Sequence, residues 1–169
     1  MTCSVILVGM PGAGKSTIGL LLAKELAKDF VDTDLLIQLR EGATLQDILD
    51  ESGYLKLRAI EEAVLLAAQY DNHIIATGGS VVYSVKGMQH LCSLGPVVFL
   101  DVGLTELRAR IHNYDQRGIA RRHDQSFENL FLERRALYQR YADITIECND
   151  KDQNSLLQLL LTRLSSAAN

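Results

Sequence analysis

A short apolar run from Ser4 to Val8 leads straight into Gly9-Met10-Pro11-Gly12-Ala13-Gly14-Lys15-Ser16-Thr17, and Lys15 to Lys28 then carries Leu20, Leu21, Ala23, Leu26 and Ala27 at helical spacing. No other stretch restricts the fold so strongly. The spacing G-x-x-x-x-G-K-[ST], with a strand before it and a helix after it, describes a loop that curls so that successive backbone N–H groups point inward. The glycines permit the curl, and the helix start adds unpaired N–H groups and a favourable dipole for an anion. In such a P-loop Gly12, Ala13, Gly14, Lys15 and Ser16 form the cradle. Lys15 reaches the β- and γ-phosphates of a nucleotide, and the Ser16 hydroxyl can ligate Mg²⁺. Thr17 either hydrogen-bonds within the helix or touches the α-phosphate.

The rest of the chain alternates strand and helix. Phe30 to Asp32, His73 to Ala76, Val97 to Leu100 and Ile144 to Glu147 read as further strands. Thr44 to Leu49, Leu55 to Gln69, Thr105 to Ile111, Gln125 to Arg140 and Ser155 to Leu164 read as helices, with one more beginning near Leu35. Apolar strands between helices imply a parallel sheet buried on both faces, an α/β sandwich of five strands. With 169 residues the chain suits one domain, taken as 1–169 with a lid at about 112–124. Ligands of open parallel sheets bind beyond the carboxyl ends of the strands.

Composition removes several function classes. A formal charge of −4 offers no electrostatic grip on nucleic acid or on an anionic membrane. No stretch is long enough to span a bilayer, and the first apolar run lacks the basic flank of a signal peptide. A monomer in the cytoplasm is expected. Cys3, Cys92 and Cys148 lack metal-ligand spacing and read as buried thiols. Asn149-Asp150-Lys151-Asp152 has the wrong order for guanine recognition, and no apolar strand ends in the adjacent acids of a motor. A compact chain with little beyond the cradle suits a small-molecule kinase using ATP and Mg²⁺.

Residues after the strands carry the remaining signals. Asp32 and Asp34 point the same way if the second strand continues through them, which suits a metal and a nucleophile. Asp34 can also be the N-cap of the helix beginning at Leu35, and a capping Asp can still face the cleft. Gly78 and Gly79 permit close approach to a ligand or form a simple turn. Arg58 and Glu61 can pair on one helical face. Arg117, Arg121 and Arg122 flank a glycine and either fold over phosphates or form a surface charge run.

Together these residues resemble the shikimate kinases, within the nucleoside-monophosphate-kinase-like P-loop fold. The likeness covers the P-loop, Asp32-Thr33-Asp34, Arg58 before Glu61-Glu62, Gly78-Gly79, Arg117, and Glu133-Arg134 ahead of Leu137-Tyr138 and Ala142-Asp143. The resemblance implies strand order 2-3-1-4-5. It implies Asp34 as base or orienter of an acceptor hydroxyl, and Asp32 holding Mg²⁺ through water. Arg58 and Arg134 would clamp a substrate carboxylate, with the N–H of Gly79, and of Gly78, near a substrate hydroxyl. Arg117 would meet the transferring phosphate, and Arg110 would stack on adenine beside the Asn149 loop. Ser80 stands where the family's turn has a third glycine, Gly118 follows Arg117 where a proline is usual, and Tyr54 and Leu57 replace a Glu and a Phe. Gly118 predicts a looser lid. Phosphorylation of shikimate for aromatic biosynthesis is the leading expectation. A kinase for another small hydroxy acid or sugar, and an ATP-binding regulatory module with little turnover, are its rivals.

Overall fold

The computed structural model describes residues 3–67, 69–111 and 118–167. Its centre is β1 (Val5–Val8), whose four residues are all buried. It pairs in parallel with β3 (His73–Ala76) on one side and β4 (Val97–Asp101) on the other. The strand β2 (Asp29–Asp32) flanks β3, and β5 (Ile144–Glu147) flanks β4. The sheet is five-stranded, in the order β2-β3-β1-β4-β5.

The helices are α1 (Lys15–Leu26), α2 (Thr33–Glu41), α3 (Leu45–Ala67), α4 (Val85–Leu94), α5 (Leu104–Arg110), α6 (Phe127–Tyr141) and α7 (Gln153–Ala167). They cover both faces of the sheet, which is why the inner strands read as continuous apolar runs rather than alternating ones. The main core joins β1, β3 and β4 to α1, α4, α6 and α7. A second, smaller core of Ile37, Ile48, Leu57, Ile60, Val64 and Ala120 lies between α2, α3 and the segment after residue 117. This satellite fixes one wall of the site.

Several local expectations change. The strand β2 stops at Asp32 and α2 starts at Thr33, so Asp32 and Asp34 are not alternate residues of one strand. The cap is Asp32, whose Oδ1 accepts from the N–H groups of Asp34 at 3.0 Å and Leu35 at 3.4 Å. Asp34 is thereby released from capping. The two helices expected at Thr44 to Leu49 and Leu55 to Gln69 are the halves of α3, broken at Gly53 with φ +78° and ψ 168°. The helix α4 and the 3₁₀ turn Val81–Tyr83 before it had no counterpart in the pattern. Their available signal is Ser84, which caps α4 by accepting from the Gly87 N–H at 2.8 Å. Of the cysteines only Cys148 is buried; Cys3 and Cys92 are exposed.

Candidate active site

The P-loop leaves β1 and closes on α1. Its last turn needs Gly14 at φ +89°, where a side chain is strained, and this conformation caps α1 without any side-chain bond. Lys15 is buried and folds back, donating from Nζ to the carbonyls of Gly9 at 2.8 Å and Met10 at 3.0 Å. Burial lowers its pKa to about 8, against the pull of Asp34 and Asp32. Ser16 Oγ donates to Asp32 Oδ2 at 2.5 Å, so the loop hydroxyl and the β2 carboxylate meet at one point. Asp32 thus serves both the helix start and this contact, one oxygen for each.

Asp34 sits on the first turn of α2 and faces the same cleft. Burial raises its carboxyl to about 6, with Lys15 opposing that rise and Asp32 reinforcing it. Gly78 and Gly79 come close by necessity. A Cβ on Gly78 would lie 2.2 Å from Glu61 Oε1 and 2.6 Å from Asp34 Oδ1. One on Gly79 would lie 2.8 Å from Pro11 Cδ and 2.9 Å from Arg134 Nη1. The turn is tied down by the Gly78 N–H donating to Thr33 Oγ1 at 3.0 Å and by Tyr138 Oη donating to Gly79 O at 2.5 Å. Thr33 and Tyr138 are therefore supports that sequence reasoning missed.

A cavity of about 50 Å³ opens between these groups, lined among others by Asp34, Glu61, Gly79, Ser80, Ala120 and Arg134. Arg134 comes from α6 and Arg58 from α3, and their guanidinium groups converge on one atom. Arg134 Nη2 donates to Ala120 O at 2.7 Å, and Arg58 Nη2 donates to the same oxygen at 3.3 Å. The Nε atoms of both are buried with no hydrogen-bond partner among the described residues. A fully buried arginine such as Arg134, 1% exposed, is rare unless an anion or acceptor compensates it.

Glu61 does not pair with Arg58 as the helical spacing suggested. It is 3% exposed and accepts from Ser80 Oγ through Oε2 at 2.5 Å. Burial and the neighbouring Asp34 charge push its carboxyl up to about 7, with the Ser80 bond opposing. Glu61 was legible only as a surface partner, yet it lines the cavity. Gly118, read as loosening the lid, is wedged instead: its N–H donates to Gln46 Oε1 at 2.7 Å, and an added Cβ would lie 2.5 Å from Leu45 Cβ. Arg117 falls outside the described residues.

On the far side of the P-loop, Arg110 pairs with Glu106 and reaches Gly12 O at 3.5 Å. Asn149 Oδ1 accepts from the Gly103 N–H at 2.7 Å. Arg110 thus borders the cradle, and neither residue lines the cavity beside Asp34. Thr17, on the first turn of α1, is exposed. Arg135, next to Arg134, turns away to a bidentate pair with Asp101 at 2.7–3.2 Å at the end of β4. The site can therefore hold a chain of phosphates on one side and a small anion with a hydroxyl on the other, with Asp34 between them.

Known proteins resemble this chain in sequence and fold. A family model described as shikimate kinase matches residues 11–165. The shikimate kinase of Pseudomonas syringae pv. tomato is 36% identical over 165 residues, 96% of each chain. That of Sulfurihydrogenibium sp. is 32% identical over 162 residues, 95% of this chain and 97% of the relative. The solved shikimate kinase from Acinetobacter baumannii in complex with shikimate has a TM-score of 0.89 at 30% identity, covering 99% of this chain and 95% of its own. Deoxyadenosine kinase from M. mycoides, at 15% identity and a TM-score of 0.66 over 97% of this chain and 99% of its own, shares the fold.

Proposed function

The chain belongs to the shikimate kinase family, and from that premise we propose that it transfers the γ-phosphoryl group of ATP to a ring hydroxyl of shikimate, giving shikimate 3-phosphate and ADP in aromatic amino acid biosynthesis. The observation that carries the acceptor is the convergence of Arg58 and Arg134 on a single oxygen, Ala120 O, at the cavity wall, each with a buried Nε–H unpaired. Planar guanidinium forks suit a carboxylate, and buried ones suit it more strongly than water-exposed ones.

The proposed mechanism assigns each residue a task. The backbone N–H groups from Gly12 to Thr17 wrap the phosphates. Lys15 exchanges its loop carbonyls for β- and γ-phosphate oxygens and offsets charge as the transfer proceeds. Ser16 Oγ and Asp32, the latter through water, supply hard oxygen donors of the kind Mg²⁺ takes. Magnesium bound there would neutralise charge between the β- and γ-phosphates. Arg58 and Arg134 hold the acceptor carboxylate, and the Gly78-Gly79 backbone meets a hydroxyl. Asp34 takes the proton of the attacking hydroxyl as its oxygen bonds to the γ-phosphorus and the bond to the ADP oxygen breaks. A carboxyl raised to about 6 is a better proton acceptor than an ordinary aspartate and is still ionised at neutral pH. Arg110 and Asn149 border the adenine. Arg117, within a lid at about 112–124, would meet the transferring phosphoryl.

The same proposal takes the chain as a single-domain monomer of the cytoplasm. No helix among the described residues is long and apolar enough to cross a membrane. The test is ADP release by the purified protein, coupled to a spectroscopic readout, with and without shikimate. Turnover that rises with shikimate supports the reading; a rate no higher than with ATP alone refutes it.

A further inference from the structure

Arg58 needs something to hold it, and the residue that does so was not legible as part of the site. A carboxylate three positions away on the same helix is the usual partner, but Glu61 is engaged by Ser80. What the structure offers instead is an aromatic face. Arg58 Cζ lies 3.6 Å from the centroid of the Tyr83 ring, with the Tyr54 ring at 5.1 Å. The same Tyr83 ring faces Arg134, whose Cζ is 5.5 Å from its centroid. The ring is itself anchored. Tyr83 Oη donates to Glu133 Oε1 at 2.5 Å, and the other oxygen of Glu133 receives Gln125 Nε2 at 2.9 Å. Tyr83 closes the 3₁₀ turn that follows Gly78-Gly79-Ser80, so its ring is tied to the loop that lines the cavity.

The way a guanidinium is held decides what it can still do. A carboxylate partner takes its in-plane N–H groups and cancels its charge. An aromatic ring binds its flat face through the π quadrupole and leaves the N–H edge available. Arg58 fits the second case: its Nη2 reaches Ala120 O and its Nε–H is unpaired.

We infer that Tyr83 is a positioning residue for the acceptor's carboxylate, seating Arg58 by its face so that the N–H edges of Arg58 and Arg134 meet at one anionic oxygen. This rests on the reading of the two arginines as the acceptor clamp. Tyr54 is the minor wall of the same seat, and Glu133 sets the ring's angle.

The test compares the purified wild type with Tyr83→Leu, which loses the face, and Tyr83→Phe, which keeps the face and loses the Glu133 bond. Steady-state kinetics should show Tyr83→Leu raising the KM for shikimate about tenfold, with kcat and the KM for ATP within about twofold of wild type. Tyr83→Phe should stay within about threefold in every constant. A general loss of structure would lower the active fraction and leave the KM for shikimate in place, so the split separates positioning from stability. An unchanged KM for shikimate in Tyr83→Leu overturns the inference. Arginine side-chain NMR adds a readout that needs no acceptor. The Arg58 Nε–H resonance should be displaced by the ring current in wild type and Tyr83→Phe, and should return toward its free position in Tyr83→Leu. No ring-dependent displacement overturns the seat even if shikimate is phosphorylated. A displaced resonance in a wild type that ignores shikimate keeps the seat and overturns the functional reading instead.

Discussion

Arg58 and Asp34 show how a single side chain acquires a task from its surroundings. Arg58 is half-buried, and burial lowers its pKa, but it stays a cation and retains an unused N–H. Lysine at that position would carry the charge without the planar fork and could not stack its face on Tyr83. We expect Arg58→Lys to raise the acceptor KM about tenfold while leaving the ATP KM unaltered. If the acceptor constants of Arg58→Lys match wild type, the carboxylate clamp is misassigned. Asp34 works as the ionised base, so activity should fall as pH drops. Because Asp34 and Glu61 share the cavity at about 6 and about 7, the acid limb of kcat/KM belongs to the pair and should lie in that range. A pH–rate profile with no acid limb above pH 5 would remove Asp34 from the base role.

At the scale of elements, the site depends on where helices begin and break. Asp32 ends β2, caps α2 and meets Ser16, so one residue ties the sheet edge to the P-loop. The break at Gly53 lets the first half of α3 lie under Gly118 while the second half presents Glu61 to the cavity and Arg58 to Ala120 O at its edge. Gly53 has open space around it, with no atom within 4 Å of an added Cβ, so its only requirement is the φ of +78°. Gly53→Ala should therefore cost about 2–3 kcal/mol of stability, because positive φ combined with an extended ψ is a region that essentially only glycine occupies, with little effect at the P-loop. Urea unfolding of the two proteins measures this. A variant as stable as wild type would mean that the break does not depend on glycine. Much at this scale was readable in advance: the P-loop, the strands and the two halves of α3 follow from spacing and glycine placement. The helix α4 was not, because its buried face is short, with Gly87, Met88 and Leu91 carrying it.

The whole molecule keeps two carboxyls, Asp34 and Glu61, in a cavity where they would prefer to be protonated. For Glu61 the folded-state pKa of about 7 lies above the ordinary value of 4.5, so folding binds a proton more tightly than the open chain does. That contribution to stability is complete below pH 4.5 and is lost as pH rises to about 7. Glu61→Gln keeps an acceptor for Ser80 and removes the charge. Its melting temperature relative to wild type should climb across that window and then level off, by at most roughly 3 kcal/mol in free energy. Scanning both proteins from pH 4 to pH 8 reads the effect; a difference that does not change with pH would mean Glu61 is not held neutral by burial. A charge kept under this tension beside Asp34 is compatible with a site that waits for cations and an anionic acceptor to complete it.

Beyond the clamp of Arg58 and Arg134, which only the family resemblance supplied, the chain's own order of residues determined the cradle, the parallel sheet and the carboxylates that follow β2. Those features depend on neighbours a few positions apart, on glycine torsions and on periodicity, which are local and so can be read in a line of letters. The meeting of Arg58, Tyr83 and Arg134, the capture of Glu61 by Ser80 and the arrival of Ala120 O between the guanidinium groups were decided only by the tertiary structure. They join α3, the turn after β3, α6 and the segment beyond residue 117, and what brings those together is the packing of two cores around one sheet. No spacing along the chain encodes which of several nearby partners a buried charge will take, because that choice is made by desolvation and by whichever group comes within reach.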